Sequence, residues 1–138
     1  IGSIVRSANA FLAAEVHIVG RRRWNRRGAM VTDRYQHVRH HDDVEALVSW
    51  AHEQSLPIVG LDNVQSSVPI ERTALPRKCV LFFGQEGPGL SHEALTHCDK
   101  VVSIAQFGST RSINVGAAAA IAMHTWIQQH AVIEEQKT

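Results

Sequence analysis

The sequence contains few of the residues that mark a disulfide-stabilised or membrane-spanning protein. Its 138 residues include only two cysteines, Cys79 and Cys98, whose spacing fits neither a metal site nor a redox motif. We therefore expect two reduced thiols. No signal peptide and no run of 18 apolar residues can be recognised, so we expect a cytoplasmic protein without a membrane segment.

The chain also has almost no net charge, because 14 basic residues are balanced by 13 acidic ones. The charge is unevenly distributed, however, since the segment 21–27 contains five arginines and a tryptophan but no acidic residue. Arginine can bind phosphate with two hydrogen bonds, and an exposed tryptophan can stack on a base. The alternative is a solvated charged loop. The predicted nucleic-acid contacts are Arg21, Arg22, Arg23, Trp24, Arg26 and Arg27.

Helix and strand patterns alternate along the chain without repeats or linkers, which predicts an α/β fold in one domain over residues 1–138. Apolar periodicity and end signals predict helices at 3–12, from the capping box at 42–45 to before Pro57, at 91–97 and at 112–130. Strands are predicted at 15–19, 36–39, 57–61, 78–83 and 101–104, and we expect 78–83 to be the buried central strand. Residues 62–77 are expected to form a turn-rich connection.

Two glycine-rich turns follow two of these strands. The first turn covers residues 83–91, and the second covers 106–116 and leads into the last helix. Glycine lets the backbone approach a ligand closely. Because turns at the ends of neighbouring parallel strands lie side by side, the two turns are expected to form one pocket.

Together with residues 1–11, these turns resemble the three motifs of the SpoU (TrmH-like) branch of the SPOUT RNA methyltransferases. The motifs read approximately N-x-G-x-x-x-R, G-x-E-G-x-G-L and I-P-x-x-G-x-x-x-S-L-N-V, and their order and spacing agree over essentially the whole chain. Ala105 replaces the usual proline, Ile113 the usual leucine, and Gly116 a frequent serine. The asparagine of the first motif would precede residue 1.

The resemblance implies a single SPOUT-type α/β domain with a mostly parallel sheet and a deep trefoil knot at the carboxyl end. It also implies methyl transfer from S-adenosylmethionine to a ribose 2′-hydroxyl of tRNA or rRNA, by a homodimer that pairs through the first and last helices. Large apolar residues of the last helix are expected to supply this interface. They are Ile121, Met123, Trp126, Ile127 and Ile133.

The resemblance assigns Arg6, Glu86, Ser112 and Asn114 to catalysis. A charged guanidinium has no acceptor, so we favour Arg6 as a clamp that binds phosphate and stabilises the developing alkoxide over its action as a base. Glu86 could instead order its own turn, and Ser112 or Asn114 could simply cap the last helix.

The resemblance also assigns three positions to S-adenosylmethionine. Gly84, Ile104 and Ile113 would contact the cofactor, although the two isoleucines could equally be core residues. Independently of the resemblance, Arg111 is a second candidate for contact with RNA phosphates, because it is an arginine immediately before the catalytic turn. His37, His40 and His41 lie close together in sequence but lack a carboxylate or thiol partner, so we expect surface residues and no metal site.

Two other classes of function remain open from the sequence. The first is a catalytically silent RNA-binding module, which the presence of Arg6, Glu86 and Asn114 disfavours. The second is a flavodoxin-like or Rossmann nucleotide-binding domain. Its glycine-rich turn would normally follow the first strand, whereas both turns here are late in the chain.

Overall fold

The computed structural model describes residues 2–11, 13–20, 37–85, 88–108 and 113–131. Within these ranges, helices and strands alternate as predicted. The helices are α1 (Gly2–Ala10), α2 (Val44–Glu53), α3 (His92–His97) and α4 (Val115–His130). The strands are β1 (Val16–Val19), β2 (Val38–His41), β3 (Ile58–Leu61), β4 (Val68–Pro69), β5 (Val80–Phe83) and β6 (Lys100–Ser103).

The strands form two parallel sheets. β1 pairs with β2, and the other four strands follow the order β4-β6-β3-β5. All four residues of β3 are buried, whereas β5 is half-buried and lies at one end of the described sheet. The expectation that 78–83 is the central strand is therefore wrong. Leu81 and Phe83 of β5 are apolar because they pack against two core clusters, not because strands flank β5 on both sides.

The first core cluster includes part of the segment that the sequence predicted as a turn-rich connection. Val59, Leu61 and Val102 of the central strands pack there with Ile70 and Leu75, which are 0% and 3% exposed. The segment 62–77 also contains the short strand β4 and a 3₁₀ turn at Ile70–Arg72. It is thus a layer of the core as well as a connection.

The second core cluster joins α1 to α4 through small residues. Ala8 of α1 is buried together with Ala119 and Met123 of α4. Ile4 and Phe11 pack around them, as the periodicity of the first helix predicts. Alanine side chains let two helix backbones approach closely.

The same contacts change the expectation that Met123 and Trp126 are available to a second copy of the chain. Met123 is 8% exposed inside the α1–α4 cluster, and Trp126 packs against the first core cluster. Ile121 of the same helix remains 42% exposed. Ile133 lies outside the described residues.

Polar side chains of α4 bind the backbone of residues 73–77. The Gln129 amide accepts from the Leu75 N–H at 2.8 Å and donates to the Thr73 carbonyl at 3.0 Å. The Trp126 indole N–H donates to the carbonyls of Pro76 and Arg77 at 3.2 and 3.1 Å. His130 Nε2 lies 2.6 Å from the Leu75 carbonyl. These bonds satisfy a partly buried segment that has no regular secondary structure of its own.

A cluster of polar and aromatic side chains covers one face of the β1–β2 pair. His17 Nε2 donates to the Glu15 carboxylate at 2.8 Å, and its Nδ1 lies 2.7 Å from His41 Nε2. The two imidazole rings stack with centroids 5.0 Å apart. The ring centroid of Trp50 in α2 lies 4.2 Å from that of His17. His41 is therefore not the free surface residue that the sequence suggested. Burial, and then the charges of His17 and Arg39, lower the pKa of His41.

Both cysteines are free thiols, as expected, and burial raises the pKa of each. Among the helices described, none combines the length and hydropathy needed to cross a bilayer.

We expect Gln129→Ala to lower the free energy of unfolding by about 1–3 kcal/mol, because it leaves the N–H of the buried Leu75 without its acceptor. Urea titration followed by circular dichroism measures the change. The adjacent Gln128→Ala is the matched control, since Gln128 is exposed. Equal losses in the two variants would contradict the role assigned to Gln129.

We also expect acid to destabilise the fold through His41. Its pKa is 6.5 in the absence of the fold and lower in the folded chain, so the unfolded chain binds more protons as the pH falls below about 6.5. The free energy of unfolding should therefore fall with pH and level off below the lowered pKa. His41→Asn should reduce this slope, and equal slopes in His41→Asn and the unsubstituted protein would refute the assignment.

Candidate active site

A cleft of about 410 Å³ lies at the carboxyl ends of β3, β5 and β6. Three chain segments line it after these strands, and the residues before α4 close it. This arrangement confirms the expectation that the two glycine-rich turns share one pocket. The polar and glycine residues of the lining are Asp62, Asn63, Gly84, Gln85, Gly89, Ser103, Gln106 and Asn114.

The first glycine-rich turn folds back on itself. Gln85 and Gly89 exchange backbone hydrogen bonds of 3.2 and 2.9 Å. A Cβ at Gly84 would lie 2.1 Å from the carbonyl carbon of Gly89, so no side chain fits there unless the turn moves. Gly89 has a φ of +71°, in the left-handed region that favours glycine. Close backbone packing thus explains Gly84, and the left-handed φ explains Gly89.

Asp62, which the sequence analysis did not single out, holds this turn in place. Its carboxylate accepts from the Leu90 N–H at 3.0 Å, and its own N–H donates to the Val102 carbonyl at 3.1 Å. A Cβ at Gly89 would lie 2.7 Å from the Asp62 carboxylate. Asp62 therefore links the end of β3 to both β6 and the first turn. The sequence signal for it was its position directly after a buried strand.

The second turn is held by another carboxylate. Glu71 accepts from the Ala105 N–H at 2.6 Å. Ala105 is the position at which the motif pattern usually has proline, which would have no N–H to donate. Ile104 is half-buried, packs against the first core cluster and also lines the cleft. The core and ligand interpretations of Ile104 are therefore compatible.

Asn114 caps α4 while lining the cleft. Its side chain accepts from the Ala117 N–H at 3.2 Å, and α4 begins at Val115 rather than near Ser112 as predicted. The N-terminus of a helix carries a partial positive charge, and Asn114 places it at the cleft. Ile113 lines the same wall.

The described residues bring together Gly84, Ile104, Ile113 and Asn114, but not Arg6. Arg6 lies on α1, is exposed, and is not among the described residues that line this cleft or the larger cavity beside it. The remaining predicted site residues lie outside the described ranges. They are Glu86, Ser112, Arg111 and the cluster Arg21, Arg22, Arg23, Trp24, Arg26 and Arg27.

A larger cavity of about 1220 Å³ adjoins the cleft and shares Gly84, Gly89 and Asn114 with it. Its wall is mainly apolar and is formed by α1, β1, α2 and β5. We take the smaller cleft as the candidate site because Asp62, Ile104, Gln106 and Ile113 line it and do not line the larger cavity. Among the residues described, no group of three or more histidine, cysteine or acidic side chains is arranged to hold a metal ion.

Comparison with known sequences places residues 1–124 within the model of the SpoU rRNA Methylase family. The chain is 34% identical over 130 residues to an uncharacterized tRNA/rRNA methyltransferase of Mycolicibacterium vanbaalenii, covering 89% of this chain and 40% of that protein. It is 26% identical over 127 residues to the tRNA (guanosine(18)-2′-O)-methyltransferase of Escherichia coli K12, covering 90% and 56% respectively. The chain therefore spans about half the length of these relatives, or less.

The fold agrees with solved structures. The AdoMet-bound rRNA methyltransferase of Sinorhizobium meliloti superimposes with a TM-score of 0.83 at 23% identity, over 92% of this chain and 50% of that one. At this identity, the match supports the common α/β architecture.

We expect Asp62→Ala to loosen the first turn, because the Leu90 N–H loses a charged acceptor. Exchange of the Leu90 amide hydrogen, measured by NMR, should accelerate by roughly 5- to 150-fold, the range of about 1–3 kcal/mol. Glu93→Ala on the exposed surface of the neighbouring α3 is the control. Unchanged protection of Leu90 in Asp62→Ala would show that the turn does not depend on this carboxylate.

Proposed function

We propose that this chain, which belongs to the SpoU rRNA methylase family, transfers a methyl group from S-adenosylmethionine to a ribose 2′-hydroxyl of tRNA or rRNA. One observation carries the proposal: both glycine-rich turns and the N-terminus of α4 meet at a single cleft. The names of the E. coli and Mycolicibacterium relatives support RNA as the substrate, and the AdoMet-bound Sinorhizobium structure supports the cofactor.

The cleft suits a nucleoside-containing cofactor. Its volume of about 410 Å³ lies within the range of small-molecule sites. Ile104 and Ile113 offer apolar surfaces for a purine ring, and Gly84 allows the backbone to form a wall without a side chain. When bound, S-adenosylmethionine supplies an electrophilic methyl group on a sulfonium centre. Gly84, Ile104 and Ile113 would hold it.

The protein must position the 2′-hydroxyl and assist loss of its proton. Positioning contributes much of the rate in such a displacement, because it replaces a bimolecular encounter. Asn114 lines the cleft, and its side-chain oxygen caps α4. We assign Asn114 to positioning the 2′-hydroxyl. We assign Arg6 to the substrate phosphate and to the developing alkoxide. Glu86 and Ser112 complete the proposed catalytic set.

The active unit is proposed to be a homodimer. Arg6 is exposed on α1 and does not line the cleft of its own chain, so a second copy could bring the two together. Exposed Ile121 and His124 on α4 offer a surface next to α1 for this contact. Sedimentation equilibrium at micromolar concentration should give twice the 15.3 kDa of one chain. A monomer mass would refute the homodimer.

Four further proposals concern architecture, location and RNA binding. Residues 1–138 would form one catalytic domain. The carboxyl-terminal part would be knotted, with α4 passing the segment 73–77 that its side chains bind. The protein would act in the cytoplasm. The arginine-rich segment 21–27 and Arg111 would bind RNA phosphates.

We expect Arg6→Ala to abolish 2′-O-methylation while leaving the dissociation constant for S-adenosylmethionine nearly unchanged, because Arg6 addresses the acceptor. Transfer of a tritiated methyl group to total tRNA and rRNA, with mapping of 2′-O-methylated positions, measures turnover, and calorimetry measures cofactor binding. Arg6→Lys should also have low methyl-transfer activity, since lysine lacks the planar guanidinium group that can make two parallel hydrogen bonds to a phosphate. Full turnover of Arg6→Ala at saturating RNA would contradict the role.

Gly84→Val, unlike Arg6→Ala, should weaken the binding of S-adenosylmethionine. The new side chain would collide with the backbone at Gly89, so the first turn must move and cofactor affinity should fall by at least about tenfold. Circular dichroism verifies that the variant is folded. A folded Gly84→Val protein with wild-type cofactor affinity would remove the first turn from the proposed site.

A further inference from the structure

Phe107 has the most exposed large apolar side chain in the described ranges. It is 98% exposed, compared with 44% for Val68 and 42% for Ile121. Partial exposure of an aliphatic side chain is common, but a whole phenyl ring in water forgoes the burial that normally stabilises an aromatic residue. The exposure therefore calls for a partner other than the residues that the structure describes.

The segment that carries Phe107 is held on its amino-terminal side. Ile104 packs against the first core cluster, and the Ala105 N–H is bound by Glu71 at 2.6 Å. Gln106 is half-buried and lines the cleft. Phe107 follows directly, so its Cα lies about 3.8 Å from that of a cleft residue. The ring thus projects from an anchored position at the rim of the candidate site.

We propose that Phe107 is a binding site for a nucleobase of the substrate RNA, which stacks on its ring. This proposal rests on the proposed function. A ribose whose 2′-hydroxyl reaches the cleft carries its base close to the rim, where the exposed ring lies. Aromatic side chains stack on unpaired bases and do so with little dependence on sequence. Phe107 has no polar group to distinguish bases, so it positions the nucleotide and does not select it.

The test uses the 138-residue chain and a fluorescein-labelled single-stranded oligoadenylate of about 12 nucleotides, with binding followed by fluorescence anisotropy at fixed salt. Phe107→Ala should weaken binding by roughly 5- to 150-fold, the effect of losing one base–aromatic stack. Phe107→Trp should retain binding. Phe107→Leu should behave like Phe107→Ala, because leucine is apolar but offers no aromatic face. Val68→Ala is the control for an exposed apolar side chain elsewhere.

A matched abasic oligomer separates base contacts from phosphate contacts, and wild type and Phe107→Ala should bind it equally. Calorimetry should give the same affinity for S-adenosylmethionine in both proteins. Equal binding of oligoadenylate by wild type and Phe107→Ala would overturn the role of Phe107 while leaving the proposed function intact. A wild-type protein that neither binds nor methylates RNA would overturn both. A lower sedimentation mass for Phe107→Ala, with unchanged RNA binding, would assign the ring to an interface between copies and would also overturn the proposal.

Discussion

The contact between α4 and the segment 73–77 is the constraint on which the rest of the structure depends. Leu75 of this segment is buried in the core, but residues 73–77 belong to no helix or strand. Their backbone N–H and C=O groups therefore need hydrogen-bond partners from elsewhere. Gln129, Trp126 and His130 provide them. These bonds fix the carboxyl-terminal half of α4. Because the helix is rigid, they also fix the position of Asn114, which caps its amino-terminal end at the cleft. Distant polar contacts thus place a residue of the candidate site.

Carboxylates perform the equivalent task for the loops. Asp62 holds the first glycine-rich turn at the Leu90 N–H, Glu71 holds the second at the Ala105 N–H, and Asp99 accepts from the Ile58 N–H at 2.7 Å where β3 begins. A charged acceptor makes a stronger hydrogen bond than a neutral one. Loops that must leave backbone groups available to a ligand are thereby ordered by side chains from other elements. The glycine content of the cleft follows from the same close packing.

The distribution of charge has consequences for function. The described cleft is lined by backbone, amide and apolar groups with Asp62 as its acidic member, whereas Arg6 lies on the exposed surface of α1. This separation fits the proposed function, in which the cleft would bind a nucleoside-containing cofactor and Arg6 would bind an RNA phosphate. The small net charge of the chain, +1, conceals the uneven distribution, because the arginines of segment 21–27 are offset by acidic residues elsewhere.

The sequence by itself determined the alternation of helices and strands, the two glycine-rich turns and the family, because periodicity and motif spacing are local properties. It also indicated that Gly84, Ile104, Ile113 and Asn114 belong together, since parallel strands end at one edge. Only the tertiary structure decided that β3 is central, that Ile70 and Leu75 belong to the core, and that Trp126 binds its own chain. The same holds for Asp62 and Glu71, whose partners are 28 and 34 residues away. Such pairings depend on which surfaces meet after folding, and no local pattern specifies them.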